Sequence, residues 1–390
     1  MKGIGADDFA PWLLVPGGVN MTTNRRCFLN CAVFAAFLFC AAEGGSSCFA
    51  GEQGVVKYSA RVSDVPPLGG FMSPTRDLIV EDLETLASWN ATLLRFQITR
   101  NWLAVGTERD LVEYDAWFDS RLDNLEKMLP VAHRLGIRIM LDFHTPPGGR
   151  VENNIMCMFD EEIYADHFIA VWKRIAERFR DNEYKDVIWA YDLLNEPIQS
   201  QKAGERGAGD ALLLRAARAI REIDPEMPIC YSPFGGGAPA GFVNLKPLPV
   251  DNVIYQAHMY APFTYTHQSV FPELVPPGGG SIEYPGVIEG DFWSKSRIRK
   301  ELRPLHDFQK RYGARMYVGE FSAIAWAPNA EVYLMDCIDV FEEYGWDWSY
   351  HSFREWEGFS LEHEGLPSGS FWPAKDTPRK KAVLNALRQK

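Results

Sequence analysis

Short apolar runs that alternate with helix-length segments constrain the fold of this chain more than any other feature of its sequence. From about residue 66 onward, eight such runs are rich in Val, Ile, Leu and aromatic residues, and the first is the weakest. Because apolar residues fill consecutive positions, the runs are typical of strands buried on both faces. They lie at residues 68–73, 91–99, 136–144, 187–197, 228–233, 252–260, 315–322 and 347–353.

Helical patterns, with apolar residues at steps of three and four, separate these runs. The last helix has a clear start, because Thr377 can serve as its N-cap and Pro378 as its first residue. Strands that alternate with crossover helices predict a parallel sheet. The predicted helices cover residues 78–89, 122–132, 164–179, 210–223, 294–312, 330–343 and a last segment from 377.

These elements predict an α/β fold, a single (β/α)8 or TIM barrel over residues 51–390. The alternative is an open doubly wound sheet, which usually carries a glycine-rich phosphate-binding turn after its first strand. Neither G-x-G-x-x-G nor G-x-x-x-x-G-K-[ST] occurs in the sequence. The barrel is therefore the better interpretation.

Residues 1–50 are predicted to be an N-terminal extension that contains a signal peptide. The motif R-R-C-F-L at 25–29 resembles the twin-arginine signal, and small residues follow the apolar stretch 27–42. That stretch is shorter than the roughly 20 residues of a membrane span, although a membrane helix stays the alternative. We expect export to the periplasm or the extracellular space, without stable membrane insertion after signal removal.

Charge and cysteine content exclude several classes of partner. The formal net charge of −12 argues against nucleic acid and anionic membranes, which repel an acidic protein, but not against a neutral polysaccharide. Beyond residue 50 the cysteines are Cys157, Cys230 and Cys337, which are widely spaced and form no C-x-x-C pair. We predict buried thiols rather than a disulfide framework or a metal site.

Polar and charged side chains end most of the predicted strands. In a (β/α)8 barrel the carboxyl ends of the strands meet on one face, where the active site lies. Burying a carboxylate or an imidazole costs roughly several kcal/mol unless it is paired, so their accumulation in one place indicates a functional site. These residues are Arg95, His144, Asn195, Glu196, His258, Tyr260 and Glu320.

Two glutamates at the ends of different strands suit glycoside hydrolysis. Glu196 follows Asn195 in the fourth predicted strand, and Glu320 follows Gly319 in the seventh. In this reaction one carboxyl group gives a proton to the leaving oxygen, and the other attacks the sugar carbon or activates a water molecule. A separation of about 5 Å gives retention and about 6.5–9.5 Å gives inversion; the sequence leaves this open.

The order of these motifs strongly resembles glycoside hydrolase family 5, the cellulase and mannanase family of the retaining (β/α)8 clan, over roughly residues 66–360. The resemblance implies a retaining endo-β-glycosidase that acts on a polysaccharide or oligosaccharide without a cofactor or metal ion. β-1,4-Glucan is the first expected substrate and β-mannan the second, and we expect a monomer. The matching motifs are Arg95, His144, Asn195-Glu196-Pro197, His258-x-Tyr260 and Gly319-Glu320.

The resemblance also implies roles for these residues. Glu196 would be the acid/base and Glu320 the nucleophile, whose negative charge favours the protonated form of Glu196 until Glu320 is glycosylated. Arg95 and Tyr260 would hold Glu320 ionised and oriented. Asn195 would bond the 2-hydroxyl of the sugar under attack.

The substrate surface departs from the family pattern. His144 and His258 would line the subsite of the reacting sugar, but the tryptophan that usually stacks under this sugar at the end of the eighth strand is replaced by His351. Trp348 or Trp356 could supply the aromatic surface instead, or His351 could contact the sugar. Other aromatic residues expected on this face are Trp102, Phe263, Tyr265, Trp293 and Trp326.

Three other functions stay as alternatives. A metal-dependent hydrolase could use His144, His258 and the two glutamates, although the sequence has no H-x-H or H-E-x-x-H motif. A carbohydrate-binding protein would bind sugar without forming product. An enzyme for phosphorylated sugars would need a basic phosphate site, for which the sequence gives no signal.

Overall fold

The computed structural model describes residues 57–102 and 104–389. The predicted export signal, within residues 1–50, lies outside this part of the chain. Within the described ranges, no helix is both long enough and apolar enough to cross a membrane. The three cysteines beyond residue 50 are buried free thiols, as predicted.

Eight parallel strands form a closed barrel within the described residues, which confirms the predicted fold. The strands pair in chain order, and the first strand also pairs with the last, with Gly69 beside Trp348. Each strand falls inside one of the eight predicted apolar runs. The barrel strands are β1 Gly69–Met72, β2 Leu93–Ile98, β3 Arg138–Phe143, β4 Ile188–Asp192, β5 Ile229–Tyr231, β6 Val253–Met259, β7 Arg315–Phe321 and β8 Asp347–Tyr350.

Helices follow the strands around the barrel, and their apolar faces form the main core together with the outward side chains of the strands. In the described ranges they are α1 Ala60–Ser63, α2 Val80–Ser88, α3 Leu111–Leu135, α4 Glu162–Arg180, α5 Gln201–Glu205, α6 Ala208–Ile223, α7 Phe263–Thr266, α8 Lys295–Glu301, α9 Arg303–Tyr312, α10 Ala330–Glu343 and α11 Pro378–Leu387. Two hairpins, Gly286–Ile288 with Asp291–Trp293 and His363–Gly365 with Phe371–Pro373, extend the loops after β6 and β8.

Local sequence signals account for the start of α11 and for a break between two helices. The Thr377 side chain accepts a hydrogen bond from the Lys380 N–H, as the predicted N-cap of α11 should. The segment 294–312 was predicted as one helix but forms two, α8 and α9, joined at Leu302. Pro304 explains the break, because proline lacks the N–H that would continue the helical hydrogen bonds.

Side chains inside the barrel change from apolar to polar towards the carboxyl ends of the strands. Because successive side chains of a strand point to opposite faces, Leu93 and Arg95 both point inward from β2, and Met140 and Asp142 from β3. The polar layer therefore lies above a closed apolar floor. That floor contains Leu93, Met140, Trp189, Cys230, Ile254 and Tyr317.

Candidate active site

Arg95 is the centre of the polar layer and is fully buried. Its Nη1 donates to Oε1 of Glu320 at 2.7 Å, and its Nη2 donates to Asp192 at 2.8 Å and to Oδ1 of Asn195 at 2.9 Å. Asp142 lies 3.0 Å from the same guanidinium. Burial alone would lower the pKa of Arg95, but the carboxylates around it raise this pKa well above its ordinary value. Arg95 is therefore a fixed positive charge that positions four side chains.

Glu320, at the carboxyl end of β7, is held in its ionised form. Besides the bond from Arg95 to one oxygen, the Tyr260 hydroxyl donates to the other at 2.9 Å. Burial would raise the pKa of Glu320, but attraction by His258, His351 and Arg95 lowers it well below its usual range. Both oxygens accept hydrogen bonds from fixed donors, so Glu320 is a carboxylate oriented for attack.

Glu196 lies opposite, just after β4, in a strained backbone conformation. Its φ is 43°, a left-handed value that a residue with a side chain rarely adopts and that is often found at functional sites. Hydrogen bonds on both sides hold this turn: the Asn195 N–H donates to Phe143 O, and Pro197 O accepts from the Gly235 N–H. The strain therefore directs the carboxyl group of Glu196 towards Glu320.

The two carboxyl groups are close but differ in exposure. One oxygen of Glu196 lies within 4.8 Å of one oxygen of Glu320. The Glu196 side chain is 22% exposed and that of Glu320 is 5% exposed, so Glu196 faces the cleft. A separation near 5 Å leaves no room for a water molecule between a sugar carbon and the second carboxylate, and is typical of retaining glycosidases.

His258, inward from β6, connects the two glutamates. Its Nδ1 lies 2.8 Å from Oε1 of Glu196 and 3.6 Å from Oε2 of Glu320. Gly319 leaves space for this ring, because a Cβ there would press against Gln256 and lie 3.1 Å from Nε2 of His258. The Gly319-Glu320 motif therefore combines a close packing contact with a functional carboxylate.

His144 and Asn195 orient each other. His144 Nδ1 lies 2.8 Å from Oδ2 of Asp142, and its Nε2 lies 3.0 Å from Nδ2 of Asn195. Burial lowers the pKa of His144 to about 3, so the ring is neutral, donates from Nδ1 and accepts at Nε2. Because the Asn195 oxygen accepts from Arg95, its amide orientation is determined, and one N–H of the amide is left for a substrate.

His351, after β8, lies beside Glu320, with Nδ1 3.7 Å from Oε2, and bonds to protein groups through both ring nitrogens. Nδ1 is 2.5 Å from the Tyr260 hydroxyl, and Nε2 is 2.9 Å from Oε2 of Glu355. Burial alone would lower the pKa of His351, but Glu355 and Glu320 raise it to about 9. Glu355 was missed in the sequence, where an acidic residue four positions after His351 was the available signal.

The expectation that Trp348 supplies the sugar platform is wrong. Trp348 is fully buried on the outer side of the barrel, packs on Phe321 and donates its indole N–H to Glu342 at 3.1 Å. Side chains alternate along β8, so Trp348 points away from the face that carries His351. Trp356 lies in the loop after β8 and is partly exposed, with its ring 5.0 Å from Phe359.

The other predicted aromatic residues divide into two groups. Tyr265 and Trp293 are buried in the core, so these two are not available to a sugar. Trp102, Phe263 and Trp326 are partly or largely exposed, and the Trp102 ring packs 4.5 Å from His144. Trp102 therefore extends the lining of the cleft next to the polar layer.

Glu196, His258 and Glu320 also form a cluster that could ligate a metal ion, with one ligand atom from each residue within 4.8 Å of the others. One histidine and two carboxylates are chemically suitable ligands for zinc. However, Nδ1 of His258 is engaged with Glu196, and a metal ion would have to replace that contact. The cluster is explained equally well by hydrogen bonding between an imidazole and two carboxyl groups.

Known proteins resemble this chain in sequence and in fold. The model of the cellulase family, glycosyl hydrolase family 5, matches residues 72–355. Endoglucanase C from Acetivibrio thermocellus is 26% identical over 296 residues, which cover 69% of this chain and 83% of the relative. The matched family region extends from the end of β1 to Glu355, and therefore includes every polar residue of the site described above.

Two solved structures share the fold. A hyperthermophilic endo-β-1,4-glucanase in complex with substrate gives a TM-score of 0.63 at 19% identity, covering 83% of this chain and 98% of its own. Cel5A from Thermotoga maritima, in complex with mannotriose, gives 0.60 at 19% identity, with 82% and 96% covered. At these identities the likeness shows the barrel fold alone.

Proposed function

This chain belongs to glycosyl hydrolase family 5, the cellulase family, and we propose that it cleaves internal bonds of a β-linked polysaccharide with retention of configuration. The observation that carries the proposal is the distance of at most 4.8 Å between a Glu196 oxygen and a Glu320 oxygen. That distance suits direct attack by one carboxylate while the other donates a proton.

In the first step, Oε of ionised Glu320 attacks the anomeric carbon, and the bond to the leaving oxygen breaks. Glu196, in its protonated form, transfers its proton to that oxygen, so that the leaving chain departs as a neutral alcohol. In the second step, Glu196 removes a proton from a water molecule, which attacks the same carbon and releases Glu320. Two inversions at one carbon give net retention.

Neighbouring side chains would bind the sugar under attack. Asn195 has one amide N–H that does not bond to His144. In the proposed complex this N–H donates to the 2-hydroxyl of the sugar under attack. His144 and His258 line the same subsite. Arg95 and Tyr260 keep Glu320 ionised in the free enzyme and accept no proton during the reaction.

A row of aromatic rings supports a long substrate. Trp356, Phe371 and Trp326 are each partly exposed. The Phe371 ring lies 6.0 Å from Trp356, and Trp326 stacks 5.7 Å from Phe371. Aromatic rings bind the apolar faces of pyranose sugars. We call these three residues (Trp356, Phe371 and Trp326) the aromatic row, and its length favours internal cleavage over removal of terminal sugars.

The first proposed substrate is β-1,4-glucan and the second is β-mannan. The likeness to Endoglucanase C supports glucan. The Thermotoga maritima protein, which shares the fold, was solved in complex with mannotriose, and for that reason β-mannan is kept as the second candidate. Secretion and a monomeric state belong to the same proposal, and they are tested by cell fractionation and by sedimentation of the purified protein.

The test is release of reducing ends by residues 51–390 from cellulose derivatives, mannan, mixed-linkage glucan, xylan and laminarin, with EDTA present. The Glu320→Ala variant is the control for contaminating activity. Release from one polymer by the wild type and none by the variant supports the proposal. Activity that EDTA removes and zinc restores would favour the metal-dependent alternative at the Glu196, His258 and Glu320 cluster. Sugar binding without release would favour a binding protein.

A further inference from the structure

We propose that Glu355 and His351 form a positioning pair that holds the Tyr260 hydroxyl on Glu320 and sets the alkaline limit of activity. The inference deepens the proposed function, because it assumes that Glu320 is the nucleophile. Neither residue of the pair is assigned to contact the reacting atoms. The pair acts on Glu320 through the Tyr260 hydrogen bond and through the nearby charge of His351.

Hydrogen-bond directions follow from counting hydrogens. Tyr260 has one hydroxyl hydrogen, and ionised Glu320 can only accept, so Tyr260 donates to Glu320 at 2.9 Å. His351 Nδ1 lies 2.5 Å from the Tyr260 hydroxyl oxygen. Since the single hydrogen of that hydroxyl goes to Glu320, Nδ1 must be the donor in this contact. Glu355 accepts from His351 Nε2 at 2.9 Å. Both ring nitrogens of His351 carry hydrogen in this arrangement, which makes the ring an imidazolium cation.

The groups that face His351 favour this charge. Glu355, Glu320 and Glu196 attract the cation, and burial opposes it, with the result that the pKa of His351 is raised to about 9. His267 packs nearby, and burial, with a smaller contribution from His351, lowers its pKa to about 3. His267 is therefore neutral and does not compete for the negative charges.

Loss of the Nδ1 proton would reverse one hydrogen bond. A neutral His351 whose Nε2–H is kept by Glu355 presents a lone pair at Nδ1, which competes with Glu320 for the Tyr260 hydrogen. Glu320 would then lose a donor and the nearby positive charge. The stabilising arrangement is complete below the raised pKa and is lost as the pH increases through about 9, so activity should fall there.

Hydrogen bonds anchor the loop that carries Glu355, and they keep Glu355 and His351 in contact. The backbone N–H of His351 donates to Phe321 O at 3.1 Å. Arg354 donates to Glu362 at 2.9 Å and to Asp82 at 3.1 Å. Because both His351 nitrogens are occupied, the ring offers no N–H to a sugar. It acts on Glu320 through the Tyr260 hydrogen bond and through its positive charge, with Nδ1 3.7 Å from Oε2 of Glu320.

Glu355→Gln tests the pair, and Glu357→Gln is the matched control, since Glu357 is an exposed acid two residues later on the same loop. The readout is the pH profile of kcat/KM on an aryl β-cellobioside or β-mannoside. We expect the alkaline limb of Glu355→Gln to move at least one pH unit lower, with the acid limb unchanged. An unshifted alkaline limb, or an equal shift in Glu357→Gln, would overturn the proposal.

Nitrogen-15 NMR of the histidine rings gives a readout that does not need turnover. In the wild type both nitrogens of His351 should stay protonated to about pH 9, with His351→Gln used to assign the signal. A neutral His351 at pH 7 would refute the pair even in an active enzyme. A charged His351 in a protein that hydrolyses none of the polymers would instead refute the proposed function and leave the pair standing.

Discussion

Glu196 and Glu320 are identical residues that the fold places in opposite surroundings. Glu320 accepts from Arg95 and Tyr260 and is nearly enclosed, whereas Glu196 is more exposed and contacts His258. An acid/base and a nucleophile need this division, because one must exchange protons with the leaving group and with water while the other stays ionised. At the residue scale, these contacts support the roles proposed for the two glutamates.

Glu196→Ala should slow hydrolysis of the natural polymer by roughly 10²–10⁴-fold, since a proton donor is lost. An aryl glycoside with a good leaving group needs no protonation, and its first step should be nearly unaffected. Comparing kcat/KM on the two substrates checks this. Equal losses on both would be incompatible with an acid/base role for Glu196.

At the scale of the strands, alternation determines which side chains enter the site. Asp142 lies two residues before His144 and therefore points into the barrel with it, where it meets Arg95. Burial raises the pKa of Asp142 to about 7 in spite of the attraction of Arg95. The end of β3 thus contains a carboxyl group whose protonation is coupled to folding.

Asp142→Asn should change the pH dependence of stability. The folded pKa of Asp142, about 7, exceeds the value near 3.9 expected in the unfolded chain. Its protonated form therefore stabilises the fold below about pH 4, and this contribution is lost as the pH rises to about 7. The asparagine variant has no such loss, so its free energy of unfolding should rise relative to the wild type over this interval.

Urea unfolding at pH 4 to 8 measures this effect. Asp376→Asn, which alters an exposed carboxyl group, is the control and should run parallel to the wild type. Curves for Asp142→Asn that are also parallel to the wild type would contradict the assignment of a raised pKa.

Trp348→Phe should reduce stability without changing substrate affinity. The variant loses the indole hydrogen bond to Glu342 and some packing on Phe321, which should cost about 1–3 kcal/mol. Thermal unfolding and KM on the best polymer check the two parts. A normal stability with a strongly raised KM would show that Trp348 does contact the sugar.

Much of the fold and part of the site could be predicted from local patterns. The barrel follows from apolar runs and crossover helices, and the strand-end rule brought Glu196 and Glu320 to one face. Arg95 was also predicted to end its strand, but it is the third of the six residues of β2 and reaches the site because its side chain points into the barrel. Asp142 and Asp192 were not predicted, because they lie within apolar runs and their partner Arg95 is on another strand. Side chains alternate along a strand, and Trp348 is an odd number of residues from His351. The sequence alone could therefore have placed Trp348 on the outside of the barrel.

Other contacts that the sequence did not predict lie in the long loops after β6 and β8. Tyr265 and Trp293 become part of the core through packing that no local periodicity reports. Glu355 meets His351 through the turn that the chain makes directly after β8. At the scale of the whole molecule, the loops after the strands, including those after β7 and β8 that carry the aromatic row, distinguish the active-site face from the barrel that supports it.

Trp356→Ala, in the aromatic row, should raise KM for a polymer about tenfold more than for a short aryl glycoside, because stacking contributes about 0.5–1.5 kcal/mol beyond buried area. Phe292→Ala is the control, since Phe292 is 63% exposed on the other hairpin and is not in the row. Equal effects of both variants, or no effect of Trp356→Ala on the polymer, would remove the support for a long binding cleft.

Retention by two glutamates is the central claim, and proton NMR of the anomeric signal tests it most directly. The polymer that releases reducing ends is digested in the spectrometer, and the new anomeric proton is followed from the first minute. The account predicts that the β-anomer appears first and that the α-anomer grows later by mutarotation. Appearance of the α-anomer first would mean inversion, and would contradict attack by Glu320 on the sugar carbon.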